Sequence, residues 1–168
     1  GKLMWAEGMA LPVAGSTDAQ SLAGLIATDL HSTGKYVGFL SPQLLELTVI
    51  AGNGDCVVFT KDESVPRGTA GRWRFTPPGQ SSPRLLPYLP VAGSIGVVGI
   101  VAEIVLKLDA AYNMRKSERF VPSAWAEANI ERLLAPNETD PRFACDHVSF
   151  YYTGGDRKST RLNSSHRT

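Results

Sequence analysis

Between Val91 and Arg119 the chain carries its longest apolar run, AGSIGVVGIVAEIVLKLDAAYNMRKSER after the leading valine, and no glycine or proline interrupts it from Ile100 onward. A segment of that length and apolarity must find a buried place, so it constrains the fold more than any other stretch. Ile95, Val98, Val101, Ala102, Val105, Leu108 and Tyr112 recur at the spacing of one buried helical face, and Glu103 and Lys107 stand four apart in the favourable order. Ile104, Leu106 and Leu108 also alternate with Glu103, Lys107 and Asp109, as in a strand. Length favours the helix, because strands run to about 5 or 6 residues. The spacing therefore predicts a central helix over 94–119, entered through Gly93, Gly96 and Gly99, with Val101 and Val105 in the core. The uncharged part, Val91 to Ala102, is shorter than the ~20 apolar residues that span a bilayer.

The last residues, Asp156 to His166, read DRKSTRLNSSH. This string resembles the translated start of a widely used sequencing adapter, which implies a non-native tail over 156–168 and leaves 1–155 as a fragment of a single globular domain, open at both ends. Taking out the tail's four basic residues and Asp156 turns 17 basic and 16 acidic residues into 13 and 15, and a formal charge of +1 into −2. The basic lean disappears, and with it any electrostatic signal for nucleic acid or an anionic membrane. Lys158, Ser159 and Thr160 go too, so the KST after Gly154 and Gly155 is not a phosphate loop. Cys56 and Cys145, far apart in sequence, make neither a disulfide framework nor a metal cluster, which suits a reduced, cytoplasmic or virion-associated setting. No signal peptide is visible.

Gly15 to Gly34 predicts a short amphipathic helix: Thr17 and Gln20 stand in capping-box relation, and Leu22, Leu25, Ile26 and Leu30 form its apolar stripe. His31 falls in its last turn, where a protonated imidazole suits the helix dipole. Ser41-Pro42 reads as a helix start, while Leu45 to Ile50 and Cys56 to Phe59 read equally as a hairpin around Gly52-Asn53-Gly54-Asp55. Asp55, Asp62 and Glu63 lack the calcium-loop pattern and read as a solvated loop. From Ser64 to Pro90 prolines punctuate a long connector, with Arg72-Trp73-Arg74-Phe75 as its one short strand. Ser123 caps a helix over 124–134 whose buried side is Trp125, Ala128, Leu133 and Leu134, expected to pair with the central helix. Phe143 to Tyr152 reads as a strand.

The catalytic candidates gather at the entry to the central run. Ala92-Gly93-Ser94-Ile95-Gly96 resembles the alanine variant of the nucleophile elbow of α/β-hydrolases, which implies Ser94 as nucleophile, with Asp140 and His147 following in triad order. Gly93, Gly96 and Gly99 also resemble a dinucleotide-binding turn, with Ser94 where the first glycine belongs. The plainer reading is Ser94 as a helix cap. Cys145 and His147 would share one face of a strand, as a buried thiol and a surface imidazole.

The sequence thus predicts an α+β fragment: a helical core, with the long central helix and two or three shorter ones, surrounded by a few short strands and long proline-rich loops. Low charge, scattered loops and the lack of clustered ligands suit a structural, self-assembling protein such as a phage or virus coat or assembly subunit, with self-association as its partner chemistry and no cofactor or metal. The alternative is an enzyme fragment with a serine-hydrolase-like or nucleotide-binding turn at Gly93 to Gly99.

Overall fold

In the computed structural model the run from Val91 to Arg119 forms strands where the spacing predicts a helix. All residues are described except 1, 16, 18, 37, 70, 153–158 and 168, with the backbone alone for 2, 3, 152 and 159–167. In chain order the elements are α1 (Lys2–Ala6), β1 (Met9–Ala10), α2 (Leu22–Ala27), a 3-10 turn (Ser41–Gln43), β2 (Leu44–Ile50), β3 (Cys56–Lys61), β4 (Trp73–Phe75), β5 (Arg84–Leu86), β6 (Ile100–Leu106), β7 (Asp109–Ala110), β8 (Met114–Pro122), α3 (Ser123–Leu134), β9 (His147–Tyr152) and β10 (Ser159–Arg167). The helical core with a long central helix is therefore overturned. Strands dominate, and among the described residues α3, at 12 residues, is the one helix longer than two turns.

The backbone explains the difference. Gly93, Ile95, Gly96 and Gly99 take φ of 75°, 55°, 83° and 148°, and no right-handed helix continues through such residues. Beyond them Ile100, Val101, Ile104 and Val105 supply the β-branched side chains that pack well on a pleated surface. The lack of a glycine between β6 and β8 hides the break, because the chain turns there without one. Val105 is 46% exposed and Val101 is half-buried, so the burial that the helical face assigned to them does not hold, and neither does the expected pairing of the 94–119 and 124–134 helices.

Two compact units divide the chain, one from residues 11–31 and 39–109, the other from 2–10, 32–38 and 110 onward. The first holds an antiparallel sheet in the order β5-β4-β3-β2-β6. Of the two readings at 41–60 the hairpin forms, with Ile50 opposite Cys56, while Ser41-Pro42 keeps a single 3-10 turn. β2 has a neighbour on each side, and Leu44, Leu47, Thr48 and Val49 are buried; β6, paired on β2 alone among the described strands, is mostly exposed and carries Glu103. Val13, Ile26, Leu40, Phe59, Trp73, Leu89 and Val91 complete the core.

In the second unit β10 lies between β8 and β9, with Ser159 opposite Pro122 and Thr160 opposite Tyr152. Residues 159–167, which the sequence sets apart as a tail, thus pair as a strand; residues 155–158 and 168 lie outside the described residues. Its core joins Val121, Ala126, Leu133, Phe143, Cys145 and Val148, with Trp125 and Phe150 packed against it. Trp125 stacks on Phe143 at 5.9 Å, while Leu134, expected on the buried side of α3, is 53% exposed. Among the described residues no helix is long and apolar enough to cross a membrane.

This strand assignment reverses the order of two mutational costs. Leu47→Ala should destabilise by about 2–5 kcal/mol, and Val105→Thr by under about 1 kcal/mol, in urea unfolding monitored by circular dichroism.

Candidate functional site

The first unit's site grows out of the end of α2. Ser21, rather than Thr17, caps the helix, its Oγ accepting from Gly24 N at 3.1 Å. At the other end Leu30 N donates to Leu25 O (2.8 Å) and Asp29 N to Ile26 O (2.9 Å), the paired bonds of a Schellman motif. Asp29 takes the left-handed place, φ 47°, where glycine is usual. Its carboxylate is held there by Ser41, whose N and Oγ both donate to it at 3.1 Å.

The glycine turn is strapped onto the same helix end. Gly93 N donates to Ile26 O at 3.3 Å and Ile95 N to Ala27 O at 2.8 Å. Ile95 is β-branched and left-handed, a conformation that costs about 1 kcal/mol or more and persists only where neighbours impose it. Its side chain is 82% exposed and that of Val97 87%, an apolar surface on a strained turn. A Cβ at Gly93 or Gly96 would meet no heavy atom within 4 Å, whereas one at Gly99 would lie 2.4 Å from Ile50 O. Gly99 serves strand packing; Gly93 and Gly96 leave their backbone open to approach.

Beside the turn lies a cleft of about 430 Å³, lined by Asp29, Phe39, Ser41, Lys61, Arg67, Arg72, Trp73, Tyr88 and Ala92 among others. Sheet register brings its cations together. Lys61, at the end of β3, pairs opposite Trp73, the first residue of β4, and Arg72 immediately precedes it. Asp62 N donates to Arg72 O at 2.7 Å, closing the loop that carries Arg67. Lys61 Nζ donates to Pro42 O at 2.6 Å and the Arg72 guanidinium to Val65 O. Burial, then the charge of Arg72, pushes the Lys61 ammonium below its ordinary value, with Arg67 adding to the effect and Glu63 opposing it.

Of the residues singled out in the sequence, Ser94 belongs to the first unit and Asp140 and His147 to the second. Ser94 Oγ accepts from Gly96 N at 3.3 Å and caps a turn within the glycine stretch. His147 Nδ1 lies 3.4 Å from Ser32 Oγ, and Gly34 bridges to His147 in strand fashion. His31 meets Phe39 edge-on at 6.1 Å. Cys145 is buried, and burial pushes its thiol up. Asp55 accepts from Asn53 within the hairpin turn, and Asp62 pairs with Arg74. Among the described residues no three His, Cys, Asp or Glu side chains gather as a metal would require. Lys61, Arg67, Tyr88 and Phe39 went unmarked in the sequence. Arg72-Trp73-Arg74-Phe75 was marked only as a short strand; Arg72, just ahead of β4, and Trp73 line the cleft, while Arg74 pairs with Asp62.

Asp140 yields a prediction. Its carboxyl is held well below the ordinary 3.8, first by the Arg142 side chain at 2.6 Å, then by Arg142 N, with burial opposing and Arg132 adding. A depressed carboxyl stabilises the fold above its unfolded value and loses that contribution as pH falls through the folded one. Melting temperature should thus fall less steeply below about pH 4 in Asp140→Asn than in the parent.

Comparison with known proteins points to enzymes. The chain is 24% identical over 132 residues to the D-arabinono-1,4-lactone oxidase of Kluyveromyces lactis, covering 79% of this chain and 21% of that protein. It is 27% identical over 134 residues to that of Eremothecium gossypii (80% and 20%), and 26% over 115 residues to that of Yarrowia lipolytica (68% and 18%). The chain thus spans about a fifth of the length of the curated relatives it matches. No family profile matches it. These likenesses overturn the structural, capsid-like assembly reading, and with it the ground for virion association, because the relatives are oxidases.

Proposed function

We propose that this chain is part of an oxidase acting on a sugar lactone of the D-arabinono-1,4-lactone kind. One observation carries the reading: relatives from several fungi bear the same enzyme name, and each match covers two thirds or more of this chain. An oxidase removes two hydrogens from its substrate and delivers the electrons to dioxygen. No amino-acid side chain carries two electrons reversibly in this way, so a redox cofactor supplies that chemistry.

The residues present suit such a group at the glycine turn. Gly93 and Gly96 offer open backbone, and Ile95 and Val97 stand exposed beside them, so a flat or nucleotide-like ligand can approach closely and be shielded from water on one side. The straps to Ile26 O and Ala27 O hold the turn in place before any ligand arrives, which lowers the ordering cost of binding. In this role Ser94 shapes the turn through Gly96 N and performs no nucleophilic step.

The test uses the full-length protein in an oxygen electrode. Addition of D-arabinono-1,4-lactone should produce oxygen uptake with one hydrogen peroxide per oxygen consumed. Folded protein that leaves oxygen untouched would contradict the reading. Gly96→Val should lower activity tenfold or more while costing about 1–2 kcal/mol of stability, because its Cβ meets nothing within the fold but intrudes where the ligand lies. Equal small losses of both would make the turn merely structural.

A further inference from the structure

Three cations line one cleft in the first unit, and none has a carboxylate ion-pair partner among the described residues. Lys61 and Arg72 are pinned on the neutral carbonyls of Pro42 and Val65, and Arg67, exposed, has no hydrogen-bond or ion-pair partner there. The nearby carboxylates are engaged elsewhere. Asp29, on the same lining, accepts both bonds from Ser41; Asp62 holds Arg74 and Ser64; Glu63 Oε1 lies 4.0 Å from Lys107 Nζ. Gathering like charges in a partly desolvated cleft is unfavourable by Coulomb's law unless an anion completes the arrangement.

The geometry points to a phosphate-binding subsite: the cleft takes the phosphate of a small, ring-bearing phosphomonoester, with Lys61, Arg67 and Arg72 on the oxygens and the ring against Phe39 and Tyr88. Charge and shape both support this ligand class. Three cations and the Asp29 carboxylate leave the lining two charges positive, and a phosphomonoester carries about −1.5 to −2 at neutral pH. Guanidiniums offer the paired donors that phosphate oxygens accept. Phe39 and Tyr88 are 52% and 71% exposed on a lining that also holds Pro42, Pro87 and Leu89, so an apolar ring has surface to cover. The cleft's volume of about 430 Å³ suits a ligand of that size. The inference uses only this lining and stands whether or not the oxidase reading holds.

Calorimetric titration of the 168-residue chain with phenyl phosphate tests it, with inorganic phosphate and benzyl alcohol as partial probes. Phenyl phosphate should bind saturably, inorganic phosphate more weakly and benzyl alcohol not at all, and raising pH through about 6 should strengthen phenyl phosphate as its second ionisation completes. Arg67→Ala should weaken phenyl phosphate about tenfold, with Arg67→Lys recovering part of the loss. Arg67 has no internal partner here, so this variant keeps its fold, as circular dichroism would verify. In the full-length enzyme, competition with the redox cofactor would make the phosphate the cofactor's own, and independent binding would assign it to a separate ligand. Absence of binding to folded chain, equal binding of benzyl alcohol, or an unchanged affinity in Arg67→Ala would overturn the proposal.

Discussion

The bond from the Ile95 amide to the Ala27 carbonyl, 2.8 Å long, joins the end of α2 to the entry of β6, and the first unit is arranged around it. A helix end leaves carbonyls without intrahelical donors, and here Ala27 O meets that need with the turn instead of with water. With Gly93 N on Ile26 O the turn is fixed at two points, and Gly99 can then lie so close to Ile50 that no side chain fits between them. From there β6 runs along β2 with Ile104 opposite Leu47. Strain at Ile95 and Asp29 is the cost of that path, and both residues sit where the site is built.

Local chemistry was legible where a few adjacent residues decide the outcome. Gly52-Asn53-Gly54-Asp55 offered the hairpin beside a competing helix start, the stretch Gly15 to Gly34 a helix of which only Leu22–Ala27 forms, Trp73 with Phe75 a strand, and Ala124 to Leu134 most of α3. In the central run one set of apolar positions satisfies both periods, and the lack of glycine and proline after Ile100 says nothing about which element is present. Left-handed backbone at Gly93, Ile95 and Gly96 decided it, and an isoleucine gives no warning of positive φ. Cleft residues were hidden for another reason: Asp29, Lys61, Arg72 and Tyr88 are distant in sequence, and the β3–β4 register brings Lys61 to Arg72 while Ser41 holds Asp29 on the same lining.

Two features of the first unit are open to a ligand. The glycine turn exposes backbone and apolar surface, and the cleft exposes positive charge beside aromatic rings. Neither needs the nucleophilic serine that the Ala92–Gly96 pattern suggests, and Ser94 serves the turn. An oxidase reading accommodates this division, since such an enzyme must hold a redox group and a polar substrate together, and most of the length of its relatives lies beyond this chain.

Amide hydrogen exchange at Ile95, followed by NMR on the folded chain, tests the strap most directly. Protection comparable to that of β2 amides is expected, because the N–H is committed to Ala27 O and opens only when the turn leaves the helix end. Exchange at the rate of an unstructured peptide, with β2 still protected, would contradict the account.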